Sequence, residues 1–182
     1  MRTPFKLAAA CLIAAGLAQP AIAQESPTLQ KIKASGSIAL GHRESSIPFS
    51  YYDDKQQVVG YSQELLLKVV DAVKAELKLP NLTVKLTPVT SQNRIPLVQN
   101  GTVDIECGST TNNATRQKDV AFAVTTFVEE VRIATKANSG IKSVADLNGK
   151  TVAVTTGTTS VQHLRKHERL SLIHISEPTR PY

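Results

Sequence analysis

Tryptophan is absent from this 182-residue sequence, and tyrosine and phenylalanine occur only four times each. The formal net charge is +6, but the basic residues are spread along the chain and do not form a basic run. Nucleic-acid-binding surfaces usually combine clustered cations with aromatic or groove-reading elements. We therefore expect no nucleic-acid partner, and the charge agrees better with a small anionic ligand than with a polyanion.

Long apolar runs are also absent outside the first residues. Arg2 and Lys6 precede an apolar run over residues 7–17, and the small-residue sequence Ala21-Ile22-Ala23 follows it. The run is too short to span a bilayer, and its flanks are typical of an export signal. We therefore expect residues 1–23 to be a signal peptide that is cleaved after Ala23, and the mature protein to be periplasmic.

The two cysteines offer no disulfide framework within the chain. Cys11 would be removed with the signal. A lipoprotein signal at Cys11 is the weaker alternative, because only four residues would separate Lys6 from it. Cys107 then remains alone in an oxidising compartment. It is either a small buried hydrophobic residue or a cysteine whose partner is missing.

Predicted strands and helices alternate along the rest of the chain, which indicates an α/β fold. Strands are predicted over residues 37–41, 83–89, 102–106 and 151–155, with a hairpin over residues 48–61. Ser62 is the predicted N-cap of a helix that ends near Leu79, and Asn93 is the predicted N-cap of a helix that ends at Asn100. The first helix is expected to pack through one apolar face: Leu65, Leu66, Val69, Val70, Val73 and Leu77.

Hydroxyl groups and an arginine follow three of these strands. The residues are Arg43 after the first strand, Ser91 and Arg94 after the second, and Ser109, Thr111 and Arg116 after the third. Open α/β sheets bind ligands at the carboxyl edge of their strands, and hydroxyl, N–H and guanidinium groups are suitable donors to a carboxylate. The pattern predicts an anion site, whereas polar surface turns with solvated arginines are the plain alternative.

A fourth turn, residues 156–160, follows the strand over residues 151–155 and begins a helix. Thr158, Thr159 and Ser160 are its candidate ligand contacts, and an ordinary strand-to-helix turn is the alternative. The turn lacks the Gly-Lys-Ser/Thr of a nucleotide P-loop, so nucleotide binding is not expected.

His163 and His167 are one helical turn apart, a spacing that can bind a metal. No cysteine or carboxylate cluster in the sequence completes such a site. We therefore expect no metal and no other cofactor.

Four of these segments resemble the glutamate/aspartate-binding proteins of bacterial ABC importers, within solute-binding protein family 3. They are GHRESS at residues 41–46, TSQNRIPL at 90–97, ECGSTTNN at 106–113 and RQK at 116–118. The resemblance covers about residues 29–160. It implies the type II periplasmic binding protein fold, with two lobes joined by a hinge. Lobe one would span residues 24–130, and residues 131–169 would form the hinge, including a strand within 120–134, and the start of lobe two.

The resemblance also implies a function. The protein would be a monomer without enzymatic activity that captures free L-glutamate or L-aspartate and delivers it to the permease subunits of an importer. Arg116, Ser109 and Thr111 would hold the α-carboxylate, Arg43, Ser91 and Arg94 would reach the side-chain carboxylate, and Thr158, Thr159 and Ser160 would face the ligand from lobe two.

The sequence departs from this family at about Leu170. Residues 171–182 resemble a translated sequencing-adapter read-through, so we expect residues 170–182 to be a non-native tail. Most of lobe two and the segment that returns to lobe one would then be missing. The resemblance places the aspartate that binds the ligand's ammonium group, and a partner for Cys107, in this missing part.

Two alternative functions remain at this point. Periplasmic dehydratases of the cyclohexadienyl dehydratase type share the fold, and His42 and Glu44, which alternate on an extended segment, would then be acid and base. No second acid or nucleophile supports that reading. An extracellular amino-acid sensor domain would need a membrane anchor downstream.

The export signal yields a first prediction. The mature N-terminus should be Gln24 in periplasmic material, because small residues occupy both recognition positions of the cleavage site. Mass measurement of the exported protein checks this. A diacylglyceryl group on Cys11 would contradict it.

Overall fold

The structure of the protein is a computed structural model that describes residues 26–165 and the backbone of residues 171–175. The predicted signal peptide and the last seven residues of the predicted tail lie outside this part of the chain. Within it, no helix is both long and apolar enough to cross a membrane.

The strands are β1 (Ser37–His42), β2 (Ser45–Ser46), β3 (Ser50–Tyr52), β4 (Val58–Val59), β5 (Thr83–Pro88), β6 (Ile105–Glu106), β7 (Thr151–Thr155) and β8 (Ser171–Ile175). The helices are α1 (Pro27–Ser35), α2 (Tyr61–Leu77), α3 (Arg94–Gln99) and α4 (Thr159–Arg165), with short 3₁₀ turns at Arg116–Lys118 and Val144–Leu147. We call residues 26–119 the first unit, residues 120–141 the connecting segment, and residues 142–165 with 171–175 the second unit.

A parallel three-stranded sheet in the order β5-β1-β6 organises the first unit. β1 reads as a continuous apolar run because it lies between two neighbours, and Leu40 at its centre is completely buried. Its side chains pack against one face each of α1 and α2, in a core of Ile32, Ile38, Leu40, Leu66, Val70, Leu77 and Leu82. The predicted hairpin is confirmed, since β3 pairs antiparallel with β4.

Helix α2 begins differently from the prediction. Gly60 is its N-cap, with φ of 116°, and the N–H groups of Tyr61 and Ser62 donate to the carbonyls of Pro48 and Phe49 at 3.0 and 2.8 Å. These backbone carbonyls satisfy the first turn, so the Ser62 hydroxyl is not needed as a cap. It donates instead to the Gly108 carbonyl at 3.1 Å. The predicted N-cap was therefore wrong.

The apolar face of α2 is narrower than predicted. Leu66, Val70 and Leu77 are buried, whereas Val69 is 40% exposed. A single layer of sheet covers only one stripe of the helix, so the residue at the edge of the periodic pattern remains in solvent.

Strand β6 is shorter than the predicted strand over residues 102–106. Before β6 begins, the Asp104 carboxylate replaces a backbone hydrogen bond to β1. It accepts from the Ala39 N–H at 2.8 Å and from Lys31 Nζ at 2.7 Å. The Asp104 side chain is 4% exposed. It therefore joins β1, α1 and the entry to β6 through one buried group.

Cys107 lies half-buried against the core of the first unit, and it is the free cysteine of the described residues. Burial raises the pKa of its thiol, an effect that a hydrogen bond with Ser62 opposes and the nearby Glu106 charge reinforces. The thiol is thus the favoured form, as expected of a cysteine that packs as a small apolar residue.

The connecting segment does not contain the predicted hinge strand. Residues 121–136 contain no helix or strand, and Val124 and Val128 are 86% and 85% exposed. A strand requires a neighbour for its N–H and C=O groups, and no described strand runs beside this segment. Its attachment to the first unit is an aromatic cluster of Phe49, Tyr61 and Phe127, in which the Tyr61 hydroxyl donates to the Thr126 carbonyl at 2.9 Å.

The second unit begins with the 3₁₀ turn Val144–Leu147, where Ser143 and Asp146 form a capping box. Hydrogen bonds from the Lys142 N–H, the Ser143 hydroxyl and the Ser143 N–H lower the pKa of the Asp146 carboxyl. β7 then packs on α4 through Val154, Val161 and Leu164. The strand β8, which lies within the predicted non-native tail, runs parallel to β7 with Thr151 opposite Ser171.

We expect Asp104→Ala to lower the free energy of unfolding by about 1–3 kcal/mol, because it leaves the partly buried Ala39 N–H without its acceptor. Urea unfolding of the protein restored to full length measures this. Asp71→Ala is the matched control, since Asp71 also pairs with a lysine but its side chain is 76% exposed. That variant should change stability by less than about 0.5 kcal/mol. Equal losses in the two variants would contradict the prediction.

Candidate ligand-binding site

Parallel strands bring their carboxyl ends to one edge of a sheet, and three predicted site segments meet there. Arg43 follows β1, Ser91 and Arg94 follow β5, and Ser109 follows β6. Arg43 and Arg94 are each only 3% exposed, and Ser91 is 7% exposed. The alternative of solvated arginines in surface turns is therefore wrong for Arg43 and Arg94.

The position of Arg43 depends on small neighbours. Its N–H donates to Ser50 Oγ at 2.9 Å and its Nε donates to Ser46 Oγ at 3.3 Å. Its methylene groups lie on Gly108, where an added Cβ would be 2.6 Å from Arg43 Cγ. A glycine at position 108 thus lets the arginine lie across the end of β6.

Arg94 is the first residue of α3, and Asn93 is the N-cap as predicted, but the Asn93 side chain does not cap the helix. The third helical residue is Pro96, which has no N–H to donate. The Asn93 amide oxygen therefore turns back and accepts from the Thr90 N–H at 2.7 Å, while the Thr90 hydroxyl accepts from the Asn93 N–H at 3.2 Å. This closed turn fixes a buried cation at a helix N-terminus, where the dipole favours an anion.

Arg116 opens a 3₁₀ turn of three residues. Its Nη1 donates to the Thr111 carbonyl at 2.9 Å, and its Nη2 donates to the Gly157 carbonyl in the second unit at 3.0 Å. Burial lowers the pKa of Arg116, and the Glu106 carboxylate opposes that effect. Arg116 therefore contacts both units.

The hydroxyl candidates differ in their placement. Ser109 is half-buried, while Thr111 is exposed and contributes its backbone carbonyl to Arg116. In the second unit, Thr158 uses its hydroxyl on the Thr155 carbonyl at 2.8 Å. Thr159 and Ser160 are half-buried at the start of α4.

Sequence reasoning missed Glu106. Its Oε2 accepts from the Thr110 hydroxyl at 2.6 Å, and its side chain lies beside Gly41 and Gly108. It thus fixes the loop that carries Ser109 and places a carboxylate near Arg116. An acidic residue at the end of a strand, directly before a hydroxyl-rich loop, was the available signal.

A cavity of about 1120 Å³ lies elsewhere, between the connecting segment and the second unit. Of the nine predicted site residues, only Thr158 and Ser160 line it, and most of the other lining residues belong to residues 131–155. The three arginines of the sheet edge are not among its lining residues, so the cavity does not coincide with the candidate anion site.

His42, the acid or base of the dehydratase alternative, is 1% exposed. Its Nδ1 lies 3.2 Å from the Arg43 carbonyl, and its ring packs on the edge of Tyr52 at a centroid distance of 5.4 Å. Burial, and next the Glu44 charge, raise the pKa of Tyr52.

The metal alternative rested on His163 and His167. His167 lies outside the described residues. Among the residues that are described, no group of three or more histidine, cysteine, aspartate or glutamate side chains is arranged to hold a metal ion.

A parallel sheet with three arginines at its carboxyl edge, opposite a strand-to-helix turn of a second unit, is the arrangement of a two-part ligand-binding protein. The chain belongs to the bacterial extracellular solute-binding proteins, family 3, whose sequence profile matches residues 38–175. The predicted family and fold class are confirmed. The match ends at the last residue of β8, within the predicted tail.

Two curated relatives are similar over most of this chain. The glutamate/aspartate import solute-binding protein of Escherichia coli (strain K12) is 54% identical over 168 residues, which are 91% of this chain and 56% of the relative. The L-glutamate/L-aspartate-binding protein of Pseudomonas aeruginosa is 53% identical over 167 residues, 91% of this chain and 55% of the relative. The chain thus spans about half the length of the curated relatives it matches.

A solved structure supports the fold. An ancestral amino acid-binding protein, described as a precursor of cyclohexadienyl dehydratase, superposes with a TM-score of 0.64 at 28% identity, over 81% of this chain and 64% of that one. That protein is itself described as an amino acid-binding protein, and the two curated relatives are binding proteins by name, so these comparisons favour binding over the enzyme alternative.

Proposed function

We propose that the full-length protein is an exported binding protein that captures glutamate or aspartate and delivers it to the permease subunits of an ABC importer. The observation that carries the proposal is the burial of Arg43 and Arg94, each 3% exposed, at the sheet edge that also carries Arg116. The name of the Escherichia coli relative, at 54% identity, supports the same ligands and the same process.

The number of arginines argues for a ligand with two carboxylates. One guanidinium is enough for the α-carboxylate of any amino acid, and the same sheet edge carries two further arginines as donors for a second carboxylate. Arginine also engages both oxygens of a carboxylate, which lysine does not do as well.

The proposed roles follow from position. Arg116, with Ser109 and Thr111, would hold the α-carboxylate, since two of its five N–H donors already fix its orientation on the Thr111 and Gly157 carbonyls. Arg43, Ser91 and Arg94 would bind the side-chain carboxylate. Thr158, Thr159 and Ser160 would close over the ligand from the second unit.

The proposal also covers the cellular location and the oligomeric state of the protein. The protein would act as a periplasmic monomer after cleavage at Ala23, with lobe one over residues 24–130 and the hinge and start of lobe two over 131–169. Residues 170–182 would be non-native. Its activity would be binding and not catalysis, which the names of the two curated relatives support.

We expect the 182-residue chain by itself to bind glutamate weakly or not detectably. A micromolar ligand is held by only about 8 kcal/mol, and each charge-assisted bond contributes on the order of 1.5–3 kcal/mol. We expect several such bonds to come from the part of the relatives that this chain does not span. Calorimetry with refolded chain and with full-length protein compares the two, and micromolar affinity in both would contradict this expectation.

The arginine roles predict selectivity in the full-length protein. Arg116→Ala should abolish binding of every amino acid. Arg43→Ala and Arg94→Ala should each cost about 2–4 kcal/mol for glutamate, because a ligand carboxylate loses its partner, and much less for glutamine, whose amide carries no charge. The preference for glutamate over glutamine should therefore shrink. Titration with glutamate, aspartate and glutamine measures it.

Arg132→Ala is the matched control for these variants. Arg132 pairs with Glu130 in the connecting segment, and its side chain is 82% exposed. Its loss should leave all three affinities unchanged. Equal losses for glutamate and glutamine in Arg43→Ala and Arg94→Ala would show that these arginines do not bind the side-chain carboxylate.

A further inference from the structure

The two units touch through backbone at one glycine. Gly157 has φ of 76°, and a Cβ added to it would lie 2.5 Å from the Ser91 carbonyl oxygen, 2.6 Å from its carbon and 2.7 Å from the Gln92 nitrogen. All three neighbours are backbone atoms, so no side-chain rotation would relieve the clash. The observed approach is therefore open only to glycine.

The same glycine also accepts a hydrogen bond across the units. Arg116 Nη2 donates to the Gly157 carbonyl at 3.0 Å, while Nη1 of the same guanidinium donates to Thr111 in the first unit. Gly157 packs on the turn after β5, and its carbonyl is bonded to Arg116, which follows β6. One residue thus contacts the segments that follow both outer strands of the sheet.

We propose that Gly157 is the positioning residue for closure, the contact that sets how closely the second unit approaches the sheet edge. The proposal rests on the proposed function, because Ser91 and Arg116 are proposed ligand contacts. It goes beyond that function, since it concerns the distance between the two units and not a contact with the ligand. Closure to this distance brings the Gly157 carbonyl onto Arg116, and a bulkier residue 157 holds the second unit away from the sheet edge.

The chain provides controls that separate the contact from backbone strain. Gly149 and Gly140 have φ of 72° and 71°, close to that of Gly157, but an added Cβ would meet nothing within 4 Å at either position. Gly149→Ala therefore carries the cost of a left-handed alanine without the clash. Gly157→Asn carries the clash with less strain, because asparagine adopts this backbone region more readily than alanine.

The experiment uses the full-length protein as wild type, Gly157→Ala, Gly157→Asn and Gly149→Ala. Small-angle X-ray scattering measures the compact fraction without ligand and with saturating glutamate, thermal unfolding verifies that each variant is folded, and calorimetry measures affinity. Both Gly157 variants should stay more extended than wild type and lose affinity by on the order of tenfold or more, because overpacking against rigid backbone forces a displacement. Gly149→Ala should match wild type in compactness and affinity.

Two results would overturn the inference. One is compaction of both Gly157 variants as in wild type, with affinities within about threefold of it. The other is an equal loss in Gly149→Ala, which would assign the effect to strain. Failure of the proposed function looks different, since wild type would then bind neither glutamate nor aspartate. In that case the ligand-free scattering of wild type against both Gly157 variants still decides the closure contact.

Discussion

Burial of positive charge at one edge of the β5-β1-β6 sheet is the constraint on which the rest of the arrangement depends. Arg43 and Arg94 are almost fully buried, and Arg116, in the segment that follows β6, is half-buried. Like charges that leave water repel more strongly and lose hydration, so such a set is stable only with acceptors close to it. The loops of the first unit supply some of these acceptors as hydroxyls and carbonyls.

Glycine and short polar side chains allow the arginines and their acceptors to lie close together. Gly108 leaves space for the methylenes of Arg43, and the closed Thr90–Asn93 turn fixes the start of α3 without a capping bond. Glu106 holds the neighbouring loop through the Thr110 hydroxyl. Rigid placement of donors before a ligand arrives lowers the ordering cost of binding, which is how preorganisation increases affinity.

Local patterns predicted much of this from sequence. β1, β5 and β7 follow from apolar runs and alternation, and the three polar strand ends follow from the order of residues along the chain. The predictions that failed concern contacts with residues that are distant in the sequence. The Pro48 and Phe49 carbonyls replaced Ser62 as the cap of α2, the Asp104 carboxylate shortened β6, and the connecting segment has no neighbouring strand in the described part of the chain. The sequence also did not predict the role of Gly157, because that role depends on its contact with the Ser91 backbone in another segment.

The guanidinium groups of the sheet edge support the proposed anionic ligand more directly than the cavity does, because none of the three arginines lines that cavity. Glu106 lies near this edge and acts on Arg116 by raising a pKa that burial lowers. Under the proposed function, an acidic amino acid offers two carboxylates to the arginine donors, whereas a neutral amino acid offers one. Electrostatic interactions inside the site become stronger when the second unit closes and excludes solvent. The proposed closure would therefore increase the preference for acidic over neutral amino acids, since the penalty for an unmatched charge increases as water leaves the site.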